Sequence, residues 1–145
     1  MNKKIKIIFS VILVFTLMFS SALSSSASAY DENISPYTLN KPNLYWDLTN
    51  EQYDFSGSAE MSNLYSNYLF TDVSKVRIYV KNNHSTETLK VKLLKQTAFD
   101  IDWSVSTENI AANGYRTWDV TLDEDSTYML KFYAPSDFEG YIMKI

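Results

Sequence analysis

The sequence predicts an all-β fold: a single antiparallel β-sandwich of about eight strands behind a cleaved N-terminal signal peptide. Three observations predict it. Short runs in which apolar and polar residues alternate recur from residue 44 to the C-terminus. Turn-forming clusters separate those runs. The composition holds 11 tyrosines, three tryptophans and many β-branched residues but only three glycines and three prolines, which suits strands better than a linker.

The chain begins Met1-Asn2-Lys3-Lys4-Ile5-Lys6, a basic segment, and runs into an uncharged apolar stretch from Ile7 to Phe19. A small, serine-rich segment follows and ends in Ala27-Ser28-Ala29, the small-x-small pattern of a signal-peptidase site, with cleavage between Ala29 and Tyr30. The apolar stretch falls short of the roughly 20 residues that span a bilayer. Secretion is therefore expected, with no membrane in the mature form. Residues 30–43 lack periodicity and contain Pro36 and Pro42, so an irregular arm is expected before the domain at 44–145.

Alternation then assigns the strands. Leu44, Trp46 and Leu48 share one face against Tyr45, Asp47 and Thr49, and Val76, Ile78 and Val80 share one against Arg77, Tyr79 and Lys81. The same pattern holds for Leu89-Val91-Leu93, Ile101-Trp103-Val105, Trp118-Val120-Leu122 and Tyr128-Leu130-Phe132, each set expected to face the core. By that phase all three tryptophans are core residues. Residues 60–70 fit two periods, because Met61, Leu64, Tyr65, Tyr68 and Leu69 also match a helical stripe. Ser62, Asn63, Ser66 and Asn67 are poor helix formers, and two short strands or a bulged one is the favoured reading.

Charge and residue inventory narrow the function classes. The chain carries 17 acidic and 13 basic residues, and Lys3, Lys4 and Lys6 leave with the leader, so the exported part is more acidic than the formal −4 of the whole. That balance disfavours nucleic acid and other polyanions as partners. No cysteine is present, so the exported fold rests on its core without disulfides. His84, the one histidine, lies in the polar run Asn82–Thr88 and reads as a loop residue, which leaves a histidine-based nucleophile without support. Two carboxylates for glycoside hydrolysis would arise by chance among 17, and nothing marks a pair. Asp100 and Asp102, and the turn Asp123-Glu124-Asp125, offer oxygens to calcium but equally form a solvated acidic face, and no cofactor is expected. The outward aromatics are Tyr45, Tyr79 and Tyr133, candidate ligand-binding residues, with Tyr79 between Arg77 and Lys81 and Tyr133 beside Lys131. They also suit cross-strand pairs covering a sheet.

The order Tyr53-Asp54-Phe55-Ser56-Gly57-Ser58, then Leu64 to Phe70, then the strand at 76–80, resembles the bacterial pre-peptidase C-terminal type of β-sandwich. Thr127 to Phe132 followed by Gly140-Tyr141-Ile142 is similar to that family's closing strands. The chain also resembles small stand-alone secreted β-sandwich proteins of Gram-positive bacteria. The resemblance implies a jelly-roll-like fold and an accessory or binding role, and supplies no catalytic residue. The expected function is thus a secreted, non-catalytic binding protein whose partner is a neutral glycan, a peptide or another protein. The alternatives are a secreted effector or structural protein, bacteriocin-like or adhesion-related, acting through a partner or self-assembly, and a carboxylate-type glycosidase.

Overall fold

The computed structural model describes residues 37–97 and 101–145. The expected signal peptide, its cleavage point at Ala29 and Tyr30, the start of the arm and Asp100 lie outside the described residues. Eleven strands and no helix occur among those described: β1 (Tyr37–Thr38), β2 (Leu44–Trp46), β3 (Tyr53–Ala59), β4 (Leu64–Ser66), β5 (Tyr68–Phe70), β6 (Lys75–Asn82), β7 (Leu89–Gln96), β8 (Trp103–Ile110), β9 (Tyr115–Thr121), β10 (Thr127–Phe132) and β11 (Ser136–Lys144). β1 falls within the stretch read as an irregular arm.

The larger sheet runs from β1 and β2 at one edge through β4 and β5, then β10 and β7, to β8 at the other edge. The smaller has the order β3-β11-β6-β9 and is antiparallel throughout. One pairing departs from the antiparallel expectation, since β2 runs parallel to β5. Parallel neighbours need a crossover between them, and β3, in the opposite sheet, provides it.

The doubtful segment 60–70 is strand. β4 and β5 both lie antiparallel to β10, as two pieces of one course broken at Asn67. The buried Ser66 hydroxyl donates to the Tyr68 carbonyl at 2.9 Å and accepts the Leu130 N–H at 3.1 Å, while the Tyr53 hydroxyl accepts the Asn67 N–H at 3.3 Å. The short polar residues that weaken a helix here satisfy the backbone groups that the break would orphan.

Between the sheets, Val76, Ile78, Val80, Leu89, Val91, Leu93, Tyr128, Leu130 and Phe132 are buried in the phase that alternation assigns. Phe132 stacks on Phe138 with ring centroids 3.8 Å apart, and Phe55 meets Phe132 at 5.3 Å. Burial of a side chain of this size contributes about 1.5–3 kcal/mol. Gly140 of β11 sits where a β-carbon would overlap the Tyr79 carbonyl oxygen and the Phe55 ring, so the close backbone approach depends on glycine. Leu69, Leu94 and Met129 form a separate buried cluster with Tyr65, in the opposite phase from the core.

Two runs depart from the phase read in the sequence. Leu44 is exposed, whereas Trp46 and Leu48 do pack inward. Ile101, Trp103 and Val105, expected in the core, are 59%, 66% and 40% exposed. Leu93 pairs with Ser106 but Leu94 with Ser104, a β-bulge that leaves Val105 without a partner, and Trp103 lies opposite Lys95 near the end of β7, where the edge strand has no second neighbour. Beyond the bulge the inward positions of β8 are Ser106, Glu108 and Ile110, opposite Leu93, Val91 and Leu89. Glu108 is ion-paired with Arg116 of β9 and so links the two sheets at their open edge. Of the three tryptophans, Trp46 and Trp118 pack against the core and Trp103 does not.

Candidate functional site

The three candidate tyrosines occupy different places. Tyr79 lies on the outer face of the smaller sheet. Tyr45 and Tyr133 lie on the outer face of the larger sheet at separate corners: Tyr45 is beside Leu69 at the β2 edge, and Tyr133 follows the end of β10. Two strand spacings and four residues of rise separate them, roughly 16 Å. The structure therefore does not assemble these three into one site.

Around Tyr79 it assembles a different set. Tyr141 of β11 is its direct cross-strand partner, with centroids 5.4 Å apart and ring planes within 20°. Tyr115 of β9 approaches from the other side at 6.1 Å and is 73% exposed. The row Tyr115-Tyr79-Tyr141 thus crosses three of the four strands of the smaller sheet. Sequence reasoning named only its middle member. Phase would have found the others, since Tyr141 precedes the buried Ile142 and Tyr115 stands out of step with Trp118.

Two ion pairs flank this row, and Asp54 of β3 stands directly opposite Tyr141 and accepts from Gln52 Nε2 at 2.9 Å. Arg77 holds Asp119 through two hydrogen bonds, Nε to Oδ1 at 2.8 Å and Nη2 to Oδ2 at 3.0 Å, and Lys81 Nζ donates to Glu139 Oε1 at 2.7 Å. Both pairs bridge neighbouring strands across the register. The hydrogen bond from Arg77 holds the Asp119 carboxyl below the usual carboxylate range, and the bonds from Asp119 and Glu139 raise Arg77 and Lys81. The result is a sheet face with an aromatic centre flanked by two ion pairs and one carboxylate, Asp54.

The surroundings of Tyr133 differ. The ammonium groups of Lys131, Lys90 and Lys92 lie 4.9, 5.0 and 5.7 Å from its ring centroid, and that of Lys131 also lies 5.2 Å from the ring of Tyr65. Tyr45, 64% exposed, borders a groove of about 330 Å³ with Thr71, Asp72 and residues 124–127. The acidic turn beside it is locally satisfied: Asp123 accepts from Lys95 Nζ, the Ser126 hydroxyl and the Asp125 N–H, and its carboxyl is held low chiefly by Lys95. Asp102 pairs with Lys41 at 2.9 Å. Among the described residues no three His, Asp or Glu side chains converge as a metal centre requires. His84 serves its own loop, with Nδ1 accepting the N–H groups of Thr86 and Glu87 at 3.3 and 3.1 Å.

No protein-family model matches the chain, and no curated protein is similar to it. Among solved structures it is similar to a mutant of CBM29-2, a family 29 carbohydrate-binding module, at TM-score 0.37 and 17% identity over 64% of this chain and 67% of that one. A second mutant of that module aligns at TM-score 0.37 and 16% identity over 74% and 88%. A family 6 carbohydrate-binding module aligns at TM-score 0.38 and 7% identity over 77% and 83%. The likeness concerns general architecture alone, and the site is argued from this chain's own residues.

Proposed function

We propose that the protein is an exported, non-catalytic binding module that holds a neutral glycan chain across Tyr115, Tyr79 and Tyr141. The observation that carries this reading is the aromatic row itself, on the outer face of the smaller sheet and flanked by two ion pairs. Tyrosine presents an apolar ring and a polar hydroxyl, which suits the apolar and hydroxyl faces of a sugar. The partners in Arg77–Asp119 and Lys81–Glu139 neutralise one another and, with Asp54 directly opposite Tyr141, offer donors and acceptors at the flanks of the row. The carboxylates with shifted acidity, Asp47, Asp119 and Asp123, are all shifted downward. Each is held there by a hydrogen bond, from Thr49, Arg77 and Lys95 in turn.

The test is depletion of the purified chain by insoluble neutral polysaccharides (cellulose, chitin, mannan and xylan) at low and high salt. Binding to at least one polymer, insensitive to salt and weakened about tenfold or more in Tyr79→Ala and Tyr115→Ala, is the expected result, on the scale of an aromatic hot spot. Unchanged binding in both variants would reject the row as the platform. No binding to any neutral polymer would move the row to a protein or peptide ligand.

A further inference from the structure

We infer that the outer face of the larger sheet carries a second, independent site, built by Lys90, Lys92 and Lys131 around Tyr133 and Tyr65, whose ligand is an acidic polysaccharide. The placement follows from register. Lys131 of β10 lies directly opposite Lys92 of β7 on one side and Tyr65 of β4 on the other. Like charges directly opposite one another destabilise a sheet. Five other cations are each held by a carboxylate: Arg77 by Asp119, Lys81 by Glu139, Lys95 by Asp123, Arg116 by Glu108 and Lys41 by Asp102. Lys90, Lys92 and Lys131 have no carboxylate in ion-pair range among the described residues and rest instead on the tyrosine rings.

Three ammonium groups around one ring lie within about 11 Å of each other, close to the screening length at physiological salt. The rings offset part of their repulsion, and an anion seated among them would offset the rest. The neighbouring positions on β8 and β1 are neutral and hydrogen-bonding: Asn109 opposite Lys90, Thr107 opposite Lys92, and Thr38 opposite Tyr65. A small cationic centre with neutral polar flanks suits a hydroxyl-rich chain that carries spaced carboxylates. It suits DNA less well, because a deoxyribose–phosphate backbone has no free hydroxyls along it to meet those neutral flanks.

The experiment is affinity electrophoresis through gels containing polygalacturonate or its methyl-esterified, uncharged form, with a DNA oligonucleotide shift in parallel. Retardation by the acidic polymer alone is expected, lost at about 0.5 M sodium chloride, where screening reaches only a few ångströms. Lys92→Gln and Lys131→Gln should each weaken it by about tenfold, the scale of one charge-assisted contact. Lys92→Arg and Lys131→Arg should retain it. Tyr79→Ala should leave it intact, which separates this site from the neutral-glycan row. Because each glutamine variant relieves the opposed pair, neither should melt below the wild type at low salt. Absence of retardation, equal retardation by the esterified polymer, unchanged binding in the glutamine variants, or equal affinity for DNA would each overturn the assignment.

Discussion

Replacing Asn82 by alanine removes a fully buried polar side chain that joins two turns distant in sequence. Its Nδ2 lies 2.8, 3.0 and 3.2 Å from the carbonyl oxygens of Glu87, Ile110 and Ala111, and its Oδ1 accepts the His84 N–H at 3.0 Å. An amide has two N–H protons for those three acceptors, so with the accepted bond about three full hydrogen bonds are at stake. At about 1 kcal/mol net each, and with no water able to replace them, Asn82→Ala should lose about 3 kcal/mol, or roughly 12 °C in Tm for a domain of this size. Asn82→Asp is the sharper variant, because it aims a carboxylate oxygen at three carbonyl oxygens. Its ionised form is disfavoured in the folded protein, so the carboxyl should titrate above its unfolded value of about 3.9. The sign follows: Asn82→Asp should be less stable than Asn82→Ala at neutral pH and regain stability as pH falls through the folded value. Urea unfolding followed by tryptophan fluorescence at neutral and mildly acidic pH measures both effects. A loss of under about 1 kcal/mol for alanine, or an aspartate variant as stable as alanine and indifferent to pH, would refute the claim that this side chain ties the turns.

Trp103 should dominate the quencher-accessible emission, and Trp103→Ser should remove it while changing stability by under about 0.5 kcal/mol, as exposed sites do; acrylamide quenching and urea unfolding of the single variant check this. Gly140→Ala should cost at least about 2 kcal/mol, because the overlap is with the Tyr79 carbonyl, which no rotamer change relieves; thermal unfolding measures it. Burial pushes the Tyr53 phenol up to about 12. Its contribution to stability is therefore complete below pH 10 and lost as pH rises from about 10 towards 12, and Tyr53→Phe should remove that part of the alkaline loss in a series of denaturant titrations.

The fold class was legible because period two survives wherever a strand is central. β6, β7 and β10 have partners on both sides and bury the residues that alternation assigns to the core. The rule failed where hydrogen bonding, not hydrophobicity, sets the phase. On β8 the bulge at Val105 breaks the alternation, Trp103 lies at the uncovered end of an edge strand opposite Lys95, and the inward side of that strand carries Ser106 and Glu108, which no hydrophobic pattern announces. The candidate site was legible at Tyr79 alone. Its companions Tyr115 and Tyr141 come from strands 36 and 62 residues further along, and only the register of β6 with β9 and β11 brings them together. Asn82 was hidden for a related reason: in sequence it opens a polar loop, and its burial depends on carbonyls 28 and 29 residues away.

The bulge at Val105 and the inward carboxylate of Glu108 also bear on how copies of this chain behave when crowded together. β8 is a long edge strand with Trp103 and Val105 exposed along it and Ile101 exposed just before it, a ready template for another strand to dock on and for aggregates to grow from. An unpaired residue spoils the regular spacing of its free N–H and C=O groups, and a charge committed to Arg116 keeps that stretch of β8 bound to its own sandwich. Deleting Val105 would restore the regular ladder, and the shortened protein should then associate in a concentration-dependent way that light scattering detects, while the wild type at the same concentration does not.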